Sequence, residues 1–155
     1  MAAKSSTKNS NVQMAKHLAN VVSDTYLLMI KTHGYHWNVT GPSFHSLHLM
    51  FEEQYKELFA AADEVAERIR ALDVFAPMSA ATFHSHTAVK EANGAPPNAK
   101  AMLQDLIKSH EQTRERVAEG RAFAGEVEDT ASEDLLNKRL EAHDKTIWML
   151  KSQAA

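Results

Sequence analysis

Four of the chain's nine histidines (His33, His36, His45 and His48) fall within sixteen positions, and carboxylates follow them at helical intervals. Glu52 stands four residues after His48, and Asp63 and Glu67 are themselves four apart. Imidazole nitrogen and carboxylate oxygen are donors that suit iron, manganese or zinc. At about 100° per residue, His48, Glu52, Asp63 and Glu67 lie within an arc of roughly 100° on one helix face. Three carboxylates on a buried face are costly unless a cation or hydrogen bonds compensate.

Axial distance is the obstacle. His48 and Asp63 are separated by about 22 Å at a rise of 1.5 Å per residue, whereas metal–ligand bonds are near 2 Å. One ion therefore cannot draw on both pairs within a single chain. A di-metal site inside one bundle would need a Glu-x-x-His motif on each of two helices, and the sequence has none. If two copies of the helix pack antiparallel about a two-fold axis near Glu57, each His48/Glu52 pair meets the other copy's Asp63/Glu67 pair. A two-fold contact is self-complementary, so two identical sites form together. His36, just before a short break in the chain, reaches the His48 end. The expected ligands are His36, His48 and Glu52 of one chain with Asp63 and Glu67 of its partner.

The elements that must carry these residues are helices. Val22, Thr25, Met29, Thr32 and His36 follow three- and four-residue steps, which predicts a helix from about Ser10 after a flexible tail over residues 1–9. Asn38 to Pro42 breaks it. Ser43 is positioned to cap a second helix running to about Leu72, with Phe44, Leu47, Phe51, Leu58, Val65 and Ile69 as its apolar positions. Val74 to Pro97 holds three of the four prolines, and so long a connection predicts a short helix within it, around Ser79 to Lys90. A third long helix runs from near Asn98 to near Gly125 with Leu103, Leu106, Ile107 and Val117. The fourth opens with the capping box Thr130-Ala-Ser-Glu133, followed by Leu135, Leu136, Leu140, Ile147 and Leu150. Two helical hairpins joined by one long crossover are the order of a ferritin-like four-helix bundle, here a single all-α domain over residues 10–155.

Composition narrows the function classes. With 155 residues and 44% hydrophobic content, the chain can bury a core. It has no cysteine, which removes disulfides, thiolate metal sites and a cysteine nucleophile. The first residues, MAAKSSTKNSN, lack the apolar run of a signal peptide, and no stretch is long and apolar enough to cross a bilayer. A cytoplasmic location is expected, with nucleoid association if DNA is bound. A net charge of −3 does not draw the protein to nucleic acid overall.

The stretch HWNVTGPSFHSLHLMFEEQYKEL, followed by D-x-x-A-E-R-I-R-x-L, resembles the Dps proteins, mini-ferritins first known as DNA-binding proteins of starved cells. The resemblance runs from Lys31 to Leu72 and continues in LLNKRLEAHDKTIWML near the C-terminus. It implies a ferroxidase centre at a two-fold interface, on His36, His48, Glu52, Asp63 and Glu67, where many members have aspartate in place of Glu52. It further implies a hollow homododecamer that takes two irons per interfacial site. Fe(II) would be oxidised with hydrogen peroxide and ferric mineral stored inside, so that DNA is spared hydroxyl radical. Trp37 matches a tryptophan near the iron site in relatives, so its role here is either packing or electron supply. The acidic group Glu126, Glu128, Asp129, Glu133 and Asp134 reads as helix N-terminal charge. By resemblance it surrounds a three-fold, iron-admitting pore lined by Asp134 and Asp129.

Other histidines read more simply. His33 and His45, one turn from the ligands, are expected as supporting or interface groups. His84 and His86 belong to a solvated connection, and His17, His110 and His143 to helix surfaces or contacts. Lys4 and Lys8 in the tail support at most weak, salt-sensitive DNA binding, even when multiplied over many subunits. Two alternatives to the ferroxidase stand beside it: a DNA-compacting nucleoid protein with secondary iron chemistry, and a helical shell whose metal face holds zinc or nothing.

Overall fold

The structure, a computed structural model, describes residues 2–155, with side chains from residue 8 onward. It comprises α1 (Ala2–Asn38), α2 (Phe44–Ala71), α3 (Ala80–His86), α4 (Ala99–Glu126) and α5 (Thr130–Ala154), with no strand among the described residues. Cross-links between side chains set the helix directions. Lys31 and Tyr35 of α1 meet Ser109 and Asp105 of α4 in descending order, while Asp24 pairs with Arg116 farther along. α1 and α4 are therefore antiparallel. Arg114–Asp144 and Lys151–Glu111 make α4 and α5 antiparallel, and the Glu57–Arg139 and Arg68–Asp129 pairs do the same for α2 and α5. With the α1–α2 hairpin closed by a short turn, α2 and α4 run parallel, as a single long crossover requires.

The expected apolar stripes form the core. Val22, Thr25, Met29, Thr32 and His36 are all buried along α1, as are Leu47, Phe51, Leu58, Val65 and Ile69 along α2. Phe44 is the exception and remains exposed. Two apolar clusters result. One is built around Leu28, Phe51, Leu58, Leu106 and Leu150, the other around Leu18, Val65, Ile69, Val117 and Leu136. Along α1, α4 and α5 the intervals between them carry buried polar residues: Ser23, Asp24 and Thr25, then Ser109, His110 and Thr113, then Arg139 and His143.

Several boundaries differ from expectation. α1 begins at Ala2 rather than near Ser10, because neither glycine nor proline interrupts the first ten residues. The tail expected over residues 1–9 falls largely on side chains outside the described residues. Ser43 does occupy the N-cap position of α2, but its side chain makes no capping bond. α3 ends at His86 instead of Lys90 because Asp24 of α1 captures Thr87 and Ala88. The Asp24 Oδ1 accepts from the Thr87 hydroxyl at 2.8 Å and from the Ala88 amide at 2.7 Å. Arg116 reinforces the same junction by donating to the His86 carbonyl. α5 is capped by Asp129, one residue before the expected Thr130, with its carboxylate accepting from the Ser132 amide at 3.1 Å. Glu133, expected to close a capping box, instead pairs with Arg121 at 2.8 Å. Ser79 and Asn98 cap α3 and α4 through the Thr82 and Ala101 amides.

Candidate metal centre

The α1–α2 turn sets the site. Val39 is still bonded to Tyr35, and Gly41 takes φ +107°, a conformation open to glycine that lets the chain reverse within five residues. The reversal lays His36 against His48, with rings stacked at 3.8 Å between centroids and an interplanar angle of 20°. The two imidazoles are locked reciprocally. His36 Nδ1 donates to the His48 backbone carbonyl at 2.8 Å, and His48 Nδ1 donates to the His36 carbonyl at 2.9 Å. A carbonyl only accepts, so each Nδ1 carries a proton, and in the neutral ring each Nε2 is the atom left with a lone pair. This is the tautomer and the backbone anchoring that a metal-binding histidine needs.

Glu52, one turn along α2, is partly exposed and pairs with Lys56. The Lys56 hydrogen bond and charge hold the Glu52 carboxyl below the usual carboxylate range, with smaller contributions from His36 and His48. Asp63 and Glu67 lie farther along the same helix, near exposed Phe59; Asp63 is exposed. Within one chain they stay apart from the histidines, and no group of three His, Asp or Glu side chains gathers for a metal among the described residues.

The histidines' neighbours are aromatic. His33 is held between Tyr55, stacked at 3.9 Å, and Trp37, tilted at 4.0 Å. Burial, together with His36, pushes its pKa below the ordinary value. Tyr55 also presents its ring edge-on to His36 at 5.4 Å. Trp37 is 66% exposed. His45 is exposed, away from these contacts.

The pore candidates differ from one another. Asp129 is committed: Arg68 donates to it at 2.7 Å and the Ser132 hydroxyl at 2.6 Å, and these bonds hold its pKa low against the opposing effect of burial. Asp134 carries no such bond and is exposed. His84 lies 3.6 Å from Glu91, and His86 meets Asn20 at 3.2 Å. Of the two expectations for His110 and His143, helix surface or contact, the structure shows a contact. Both are buried, with their Nδ1 atoms 2.9 Å apart and neither Nε2 partnered. Sequence reasoning also missed Lys56, although its i+4 spacing from Glu52 was visible. No sequence signal marked the reciprocal carbonyl bonds.

Two hairpins with one crossover, carrying a histidine pair beside helical carboxylates, define a ferritin-like chain, and residues 15–155 match the family model for the ferritin-like domain. The chain is 37% identical over 132 residues to a low temperature-induced protein of Nostoc sp., covering 84% of this chain and 74% of that protein. It is 31% identical over 146 residues to the DNA protection during starvation protein of Brevibacillus brevis, covering 94% and 97%. The crystal structure of a Dps protein from Vibrio cholerae, described as belonging to the ferritin-like diiron-carboxylate proteins, superposes with a TM-score of 0.91. That match is 26% identical and covers 96% of this chain and 92% of the other. The chain belongs to the Dps family of ferritin-like proteins. No helix among the described residues is long and apolar enough to cross a membrane.

Proposed function

We propose that the protein is an iron-storing ferroxidase that protects DNA by consuming iron and peroxide together. Its substrate would be Fe(II), bound as a pair at each of two sites across a two-fold interface. His36, His48 and Glu52 of one chain would act with Asp63 and Glu67 of the partner subunit. The observation that carries the reading is the reciprocal lock of His36 and His48, which ties up both Nδ1 atoms and leaves the two Nε2 atoms as the ligating positions at the Glu52 end of an exposed α2 face. The exposed apolar residues Leu49 and Phe59 on α2 support burial of that face by a second copy. So does the axial separation of about 22 Å between the two donor pairs, which no single chain can close.

Two Fe(II) give up two electrons, and hydrogen peroxide with two protons takes them to become two waters, leaving two Fe(III) and no hydroxyl radical. The carboxylates offset and bridge the cationic charge, and the locked imidazoles fix its position. Trp37, whose ring contacts His33, would either pack there or supply an electron when only one iron is bound. Twelve copies would form the storage shell, with Asp134 facing an iron-admitting pore. Asp129, held by Arg68, would shape that pore rather than carry ions. The location would be cytoplasmic, and DNA contact, if made, weak and salt-sensitive.

Subunit mixing tests the shared site. A His36→Ala/His48→Ala chain and an Asp63→Ala/Glu67→Ala chain, each inactive alone, should regain ferroxidase activity after dissociation and co-assembly. Stopped-flow absorbance of ferric product reads the result. Mixtures that assemble yet stay inactive would overturn the interfacial site.

A further inference from the structure

Between Phe44 and Glu67, α2 carries six carboxylates and a single lysine or arginine, Lys56. Glu57 is already paired with Arg139. The helical period sets Lys56 at the middle of the exposed stripe, with Glu52, Asp63 and Glu67 within about 40° to either side of it. Lys56 does pair with Glu52, the carboxylate that also feels the charge of His36 and His48. Its side chain is 61% exposed, and an ammonium on a four-carbon stem can rotate away at small cost.

Resting on the interfacial reading above, we propose that Lys56 is a displaceable counter-ion built into the metal site. Its ammonium neutralises Glu52 while no metal is bound and is turned aside when a divalent cation takes the same carboxylate. The physical need is electrostatic. Two antiparallel copies of α2 bring two such acidic stripes together, and without a cation between them the stripes repel. One lysine per chain relieves that repulsion in the metal-free assembly and then competes with the metal for Glu52. The same side chain thus favours assembly and opposes loading, so its removal should move the two properties in opposite directions. An arginine in its place would hold the carboxylate with a planar fork and yield it less readily.

The test uses the assembled full-length protein at low salt, with Zn²⁺ as a redox-inert probe in titration calorimetry. Sedimentation after dilution, in chelator, follows the metal-free assembly. Lys56→Met should bind Zn²⁺ about three- to tenfold more tightly, the range expected for lifting one unit charge from a solvent-accessible site, and its metal-free assembly should dissociate at higher protein concentration. Lys56→Arg should bind Zn²⁺ about two- to threefold more weakly than wild type and remain assembled. If Lys56→Met does not assemble without metal, Lys56→Gln carries the affinity comparison. His48→Ala separates the two ideas. If it weakens Zn²⁺ binding while Lys56→Met and Lys56→Gln match wild type, the counter-ion role is refuted and the metal site stands. If His48→Ala leaves Zn²⁺ binding unchanged, the interfacial site is wrong and the role of Lys56 falls with it.

Discussion

The buried pair His110 and His143 makes the bundle vulnerable to acid in a definable window. Each imidazole has an ordinary pKa of 6.5. Burial, reinforced by the nearby Arg139 guanidinium, pushes His110 down to about 3. Burial also drives His143 well below its ordinary value, with His110, Arg139 and Arg114 adding to the effect. A base whose pKa is depressed by folding takes its proton only in the unfolded chain. Stability is therefore complete above pH 6.5 and falls by about 1.4 kcal/mol per pH unit per histidine below it. Between pH 6.5 and 4.5 His110 alone removes about 2 kcal/mol, and His143 acts in the same direction, against the ~5–15 kcal/mol of an ordinary domain.

Other groups act elsewhere or in the opposite sense. Asp129 and Asp144 are held low, so their contribution is lost only as pH falls through and below their ordinary value of 3.8. Burial raises the pKa of Asp24, so its protonation favours the fold as pH falls. These contributions cancel when wild type is compared with a His110→Leu/His143→Leu chain, which fills the same space with apolar side chains. Urea unfolding followed by circular dichroism, at one protein concentration and at steps from pH 7 to 4.5, gives the comparison. The wild-type acid limb should fall more steeply than the variant's by at least about 1 kcal/mol per pH unit, the slope of one proton taken up at His110 on unfolding. Parallel limbs, or folded-state imidazole resonances of these residues titrating near pH 6.5, would refute the reasoning.

Three further outcomes are expected from the packing. Asp129→Ala should destabilise the protein by about 2 kcal/mol in urea unfolding, since it removes the α5 cap and strands the half-buried Arg68. Asp129→Ser, which keeps a capping oxygen, should lose about half as much. Asp24→Ala should cost about 2–3 kcal/mol, and hydrogen exchange at the Ala88 amide should quicken sharply while the core of α4 is less affected. Lys31→Met leaves Tyr35 bonded to Asp105 but removes the buried ammonium that also meets Ser109. A loss of about 1–3 kcal/mol is expected, and a variant as stable as wild type in urea would show that the ion pair is energetically idle.

The stripe from Val22 to His36 was legible because its members repeat at the helical period, and the break at Asn38–Pro42 because Gly41 and Pro42 announce a turn. Both depend on neighbours in sequence. The features that escaped depend on neighbours in space. Nothing near Thr87 says that α3 stops there, since the group responsible, Asp24, lies in another helix. Asp129 displaced Thr130 as the α5 cap with the help of Arg68 from α2, a partner no local rule supplies. For His110 and His143 the sequence leaves helix surface or contact open, and only the packing of α4 on α5, which buries them together, decides it. At the candidate site, helical spacing carried the grouping of His48 with Glu52 and of Asp63 with Glu67. The tautomers of His36 and His48 required the three-dimensional turn.

The anchoring of the crossover by Asp24 also bears on how the chain tolerates being cut. Because Thr87 and Ala88 are pinned to α1 and the His86 carbonyl to Arg116, the exposed stretch around Asn93 and Gly94 carries little of the load between the two hairpins. A backbone severed there leaves one fragment with α1 to α3 and another with α4 and α5. Each fragment keeps its own antiparallel pair, and each offers the other an ionic handhold, buried Lys31 on one side and Asp105 on the other. The Asn93–Gly94 stretch thus acts as a tether between the two hairpins rather than a strut, and a chain nicked there is expected to stay assembled in size-exclusion chromatography.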